Sequence, residues 1–308
     1  MTRNLITILS VLLLGASSVF GQFTEDWDDG NGISRWSAPI PALENPSLGF
    51  DGNVDYAYDY SVLGIPSAPN SVGGTTIGVG LETNLTVQTD DTAFEGEGVG
   101  IVPLMGDLPA GDYRLTADAY MFWNFESGST EYLTIGVHSG GTASPVRFEI
   151  DNGDGLAWQF DGEGGSGTDI LRYEGPNGSE TGLGGWEDFP CSTDPFNIGT
   201  GCYPGNQTPG PSNRWVEVVV ESIGGNVTTS VSGVVIDTYD NTAGNFSGGT
   251  LMLGTSDPFD SVNPDDANGN SNIVVFDNIR VTAVPEPGSS LLLVLAMATC
   301  AGLIRKRK

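Results

Sequence analysis

Trp215-Val216-Glu217-Val218-Val219-Val220-Glu221-Ser222-Ile223-Gly224-Gly225-Asn226-Val227-Thr228-Thr229-Ser230-Val231 is the stretch that decides the fold. Glu217 and Glu221 alternate with Val216, Val218 and Val220, the period-2 pattern of a strand with one buried and one solvated face. Gly224-Gly225-Asn226 interrupts the run where a hairpin turns. A Thr/Ser/Val-rich strand over 227–238 completes the pair. Working outward, the same texture repeats. Short β-rich runs at 54–60, 75–87, 113–125, 132–138, 146–151, 156–160, 169–173, 251–255 and 273–282 are separated by Gly/Asn/Asp/Ser/Thr turns. No segment after residue 22 carries a helical apolar stripe.

Composition agrees. Of 308 residues, 45 are Gly and 18 Pro, and both weaken helix interiors. The 38% apolar content is enough for a folded core. No Pro/Ser-rich linker and no repeat of fixed period divides the body. Residues 22–283 are therefore expected to form one all-β, antiparallel β-sandwich. The Gly/Pro/Asn-rich stretch 175–212 reads as a long loop stapled onto it. Cys191 and Cys202, in that loop, are expected to form a disulfide in an oxidising compartment.

The net charge of −28 argues against nucleic acid, which needs a basic face. Residues 22–284 are more acidic still. Of the 39 acids only Glu286 lies outside them, leaving 38 against six arginines and no lysine. Such a surface repels itself unless cations screen or bridge it.

The two ends read as addresses. Arg3, the apolar stretch Leu5 to Leu14 and the small residues before Gln22 make residues 1–21 a secretory signal peptide for signal peptidase. At the other end, Val284-Pro285-Glu286-Pro287-Gly288 precedes a short apolar helix over 289–304 and the basic tail Arg305-Lys306-Arg307-Lys308. The apolar run is marginal for a span, and the basic tail should stay cytoplasmic. These three parts in this order resemble the PEP-CTERM sorting signal of Gram-negative-type bacteria. The resemblance implies a transient inner-membrane anchor, recognition of 284–287 by an exosortase, and release to the cell surface or extracellular matrix.

The body carries a second resemblance. Phe23-Thr24-Glu25-Asp26-Trp27-Asp28-Asp29-Gly30, leading to Trp36, and the closing Phe276-Asp277-Asn278-Ile279-Arg280-Val281 look like the edges of jelly-roll carbohydrate-binding and lectin-like domains. In those folds the first and last strands are neighbours. Asp59-Tyr60-Ser61 and Gly64-Ile65-Pro66-Ser67-Ala68-Pro69-Asn70-Ser71 resemble a motif of planctomycete-type exported proteins. The jelly-roll resemblance implies a structural calcium at Glu25 and Asp277, since calcium takes carboxylate and carbonyl oxygens. The loop 257–270, with Asp265 and Asp266, is a second acidic candidate.

For glycan stacking, Trp123, Phe125 and Trp186 fall at loop edges and are the expected surface aromatics, whereas Trp36, Trp158 and Trp215 fall in core-like patterns. A glycoside hydrolase is the alternative class. Phe148-Glu149-Ile150-Asp151 resembles half of the laminarinase-type Glu-x-Asp-x-Glu strand. Gly153 stands where the acid/base belongs, and Asp154 has the wrong parity. His138 lacks a nucleophile elbow to serve, and no P-loop, dinucleotide or zinc spacing occurs. The expectation is a non-catalytic, structural or adhesive protein with calcium-dependent polysaccharide binding, or a matrix component without a specific ligand.

Overall fold

The computed structural model describes residues 22–43, 49–85, 96–104, 106–123, 131–141, 144–146, 155–162, 168–175, 179–186, 210–258 and 272–284. Among the described residues fifteen strands follow one another: β1 (Gln22–Glu25), β2 (Ile40–Leu43), β3 (Asn53–Asp59), β4 (Ile77–Glu82), β5 (Glu97–Ile101), β6 (Tyr113–Trp123), β7 (Tyr132–Ser139), β8 (Leu156–Asp161), β9 (Ile170–Glu174), β10 (Ser179–Gly184), β11 (Trp215–Ile223), β12 (Asn226–Val231), β13 (Val234–Asp240), β14 (Thr250–Asp257) and β15 (Asn272–Ala283). They form two antiparallel sheets. An eight-stranded sheet runs β13-β12-β11-β6-β15-β4-β3, with β1 also on β15, and a seven-stranded sheet runs β10-β9-β8-β7-β14-β5-β2.

The expected β-sandwich is thus observed, and first and last strands are neighbours. Phe23 lies opposite Val281 and Glu25 opposite Ile279. β15 is long enough to serve two partners on one edge, pairing with β4 through Val274–Phe276 and with β1 beyond. Between the sheets lies one apolar core. Val79, Leu81, Leu115, Val218, Val220, Val274 and Phe276 from one layer meet Val99, Ile101, Ile135, Trp158, Phe160 and Leu253 from the other.

The hairpin at 215–231 forms as read, but the return strand is two strands. Ser232 and Gly233 both have positive φ (48° and 84°), and they turn the chain back into β13. A Ser-Gly pair permits this where β-branched residues would not. The stretch read as a loop contains the edge strand β10 at its start. Cys191 and Cys202 lie outside the described residues, as do the signal peptide, Pro285–Lys308 and the segment 147–154 with Glu149, Asp151 and Gly153. Among the described residues no helix is long and apolar enough to cross a membrane.

Candidate functional site

Period 2 sends alternate residues of each strand to the outside of the eight-stranded sheet. There Tyr120 of β6 lies opposite Val275 of β15 on one side and Trp215 of β11 on the other. One row along, Phe122 faces Ile273. These side chains, with Tyr58, Tyr60, Leu63 and Ile65, form a second apolar cluster separate from the core. Gly80 of β4 leaves room in it. A Cβ there would stand 2.9 Å from Ile273 Cδ1 and 3.0 Å from Tyr58 Cγ, so the Tyr58 ring lies over the strand.

Trp215 is the part-exposed centre of this face. Tyr60 and Tyr120 approach it edge-on, with ring centroids at 5.2 and 5.3 Å. Its indole N–H donates to Pro66 O at 2.7 Å. The ring is therefore fixed in place while keeping part of its surface in solvent. The expectation of a core role for Trp215 is corrected on this point: its parity is right for a strand, but it points away from the core.

The Pro66 carbonyl belongs to a strap over 64–76, which contains the stretch Gly64 to Ser71 singled out above. The strap is pinned to two buried carboxylates that face each other across β6 and β15, Asp118 and Asp277. Asp118 accepts from the Asn70 amide at 3.0 Å, Asn70 Nδ2 at 2.8 Å and Asn278 Nδ2 at 2.9 Å. Asp277 accepts from Tyr60 Oη and Ser71 Oγ, both at 3.0 Å, and from the Asn278 amide at 2.7 Å. Asn278 holds φ at 52° in a bulge of β15, which brings its amide group to Asp118 and Ser71. Burial, with Asp118 alongside, pushes the Asp277 carboxyl up to about 7 against these hydrogen bonds.

Glu25 lies elsewhere. It accepts from Arg35 Nε at 2.6 Å and Nη2 at 2.7 Å, from Trp36 Nε1 at 3.1 Å and from the Trp27 amide at 2.9 Å. It faces the core side with Trp36, whereas Asp277 faces the strap on the other side of the same sheet. The two acids implied as calcium ligands are thus not brought together, and an arginine occupies the Glu25 carboxylate. Among the described residues no three acid, His or Cys side chains converge as a metal site. Asp265 and Asp266 lie outside the described residues.

The three expected surface aromatics fare differently. Trp186 is fully buried, and its indole N–H donates to Asp161 O at 3.0 Å while Phe160 packs at 6.1 Å. It is a core residue, held inward by that bond and by its backbone N–H, which donates to the buried Asp169 carboxylate at 3.0 Å. Trp123 ends β6 opposite Asn272, and Phe125 lies outside the described residues. His138 is hydrogen-bonded at both ring nitrogens, to Tyr113 Oη at 3.1 Å and Gly248 O at 2.8 Å. Burial lowers its pKa, consistent with a neutral structural histidine.

Neither a sequence-family profile nor a curated protein sequence matches this chain. Solved structures do. The carbohydrate-binding module CBM66 from Bacillus subtilis is 13% identical with a TM-score of 0.35, over 65% of this chain and 93% of that one. The Ca2+-bound exoplasmic/lumenal domain of VIP36 is 12% identical with a TM-score of 0.42, over 77% and 84%. A Bacillus licheniformis β-glucanase is 12% identical with a TM-score of 0.38, over 86% and 99%. At such identities and TM-scores the likeness decides neither ligand nor activity.

Proposed function

We propose that this is an exported, non-catalytic glycan-binding protein of the cell surface or extracellular matrix, and that it binds through the outer face of the eight-stranded sheet. The observation that carries the reading is Trp215. Its part-exposed ring is braced by Tyr60 and Tyr120 and tethered to Pro66 O. A rigid aromatic surface with hydrogen-bonding groups beside it is what a sugar ring needs. The hydroxyl-rich strap supplies such groups, and the buried aspartates hold the strap in place.

Export belongs to the same proposal. In this proposal signal peptidase cuts before Gln22, and an exosortase acts at Val284-Pro285-Glu286-Pro287 while Arg305-Lys306-Arg307-Lys308 holds the tail helix in the inner membrane. Every described strand lies within residues 22–283, so both cuts would spare the sandwich. Oxidation outside the cell would then close Cys191 to Cys202. Calcium enters the proposal through the acid-rich loop 257–270 with Asp265 and Asp266.

Glycan-array binding by the 22–284 span, which contains every described strand, tests the reading. Trp215→Ala is expected to lose at least tenfold in affinity, in line with loss of an aromatic anchor. Reducing-sugar release is expected to be nil and unchanged by Glu149→Gln. Equal binding by Trp215→Ala would move the site off this face, and sugar release sensitive to Glu149 would restore the hydrolase reading.

A further inference from the structure

At the far end of the same outer face, two hydrogen-bonding groups are buried and have no partner among the described residues: Tyr58 Oη and Glu82 Oε1. Glu82 is 7% exposed, and its other oxygen accepts from Asn53 Nδ2 at 3.2 Å. Asp118 and Asp277, by contrast, are each bonded at both oxygens. Leaving a buried polar group unmatched is costly, and here two such groups sit on the adjacent strands β3 and β4. They lie within electrostatic reach of one another. Burial first, then the charges of Glu82, Asp55 and Asp59, push the Tyr58 hydroxyl up to about 12. Burial and Asp55 likewise raise Glu82.

We infer that Glu82 and Tyr58 form a hydroxyl-binding subsite for a neutral sugar residue that packs against the adjoining aromatic row. The inference rests on the glycan-binding reading of this face and deepens it. The geometry supplies both halves of a sugar contact. Tyr58 closes over Gly80 and Phe122 lies beyond the buried Ile273, so the part-exposed Tyr58 and Phe122 rings put an apolar surface beside the polar pair. A carboxylate oxygen accepts from one ring hydroxyl, and a phenol can donate to or accept from its neighbour. The surrounding charges select the class of sugar. Asp55, Asp59 and Glu82 give this end one sign, which opposes uronates and sulfated sugars.

The test is calorimetric titration of the 22–284 span with neutral gluco-, manno- and xylo-oligosaccharides and with oligogalacturonate, in EDTA. Glu82→Gln, Tyr58→Phe and Trp215→Ala are run beside the parent. The expected result is binding of a neutral oligosaccharide but not of oligogalacturonate. Affinity should drop at least tenfold in Glu82→Gln and in Tyr58→Phe, with melting temperatures unchanged or raised, because Tyr58→Phe removes an unmatched buried hydroxyl and Glu82→Gln removes a buried charge. Full affinity in both variants with loss in Trp215→Ala sinks the subsite and keeps the glycan reading. No binding of any oligosaccharide by the parent sinks both. A fall of more than about 5 °C in Tyr58→Phe, large for removal of one hydroxyl, shows that the hydroxyl serves the fold and overturns the inference.

Discussion

Asp277 concentrates in one side chain the tension between holding the strap and being buried. Its three hydrogen bonds to Tyr60, Ser71 and Asn278 favour the carboxylate, yet burial beside Asp118 raises it from the usual 3.8 to about 7. An acid whose pKa is higher in the folded than in the unfolded chain takes up a proton on folding. Its stabilising contribution is complete below about pH 4 and is lost as pH rises to about 7. His138 works in the opposite sense. Its lowered pKa means that the unfolded ring protonates first, so its contribution is lost on the acid side of its ordinary 6.5. Asp277→Asn separates the two, since only the Asp277 contribution disappears. The variant should melt higher than the parent at pH 8, with the gap closing towards pH 4. Thermal melts between pH 4 and 9 check this, and a gap independent of pH would show that Asp277 does not titrate as argued.

At the level of elements, the sandwich has an open side where β13 ends one sheet and β9 and β10 end the other. Arg172 of β9 closes it. Its guanidinium, 15% exposed, reaches Asp237 of β13 at 3.0 Å and Glu174 at 2.7 Å and lies 5.1 Å from the Tyr239 ring centre. Trp158 Nε1–H donates to the same Asp237 at 2.8 Å. Asp237→Ala leaves the indole N–H without its acceptor and the guanidinium with Glu174 alone, so a loss of about 1–3 kcal/mol is expected. Urea unfolding should show a lower midpoint with an unchanged slope. None of this cross-sheet chemistry is legible along the chain, because Arg172 and Asp237 are joined only by the packing of two sheets. What is legible is local. The β11–β12 hairpin follows from Val216-Glu217-Val218, and the β1–β15 neighbourhood follows from the Phe23 and Phe276 motifs. Edge strand β10 and glycine-rich β5 are hidden by their composition. The outer site is hidden for a different reason. With the strap laid over β6 and β15, Tyr120, Ile273 and Val275 are buried on the face opposite the core, so these strands lose their alternation and read as apolar throughout. Trp215 then looks like core although it faces outward.

Charge acts on the molecule as a whole. With 38 acids against six arginines in residues 22–284, and Arg35, Arg114 and Arg172 each already paired with acids, most of the negative surface has no built-in counterion. Compact packing brings these charges closer than they are in the unfolded chain, so self-repulsion penalises the fold at low ionic strength. The Debye length shrinks from about 30 Å at 0.01 M to about 10 Å at 0.1 M, and the penalty should shrink with it. Melting temperature is therefore expected to climb from 10 to 500 mM NaCl at pH 7.5 and then level off. Calcium separates screening from binding. With NaCl held at 500 mM, screening is already complete, so a calcium ion that only joins the ion atmosphere adds nothing further. A specific site occupied only in the folded chain instead raises the melting temperature with the logarithm of free calcium. Glu25 is held by Arg35 and Asp277 by the strap, so the 257–270 loop is the remaining acidic candidate for such an ion. A calcium-dependent rise at 500 mM NaCl that disappears in Asp265→Asn/Asp266→Asn would assign it to the 257–270 loop, whereas a flat response would leave the acidic surface to salt alone.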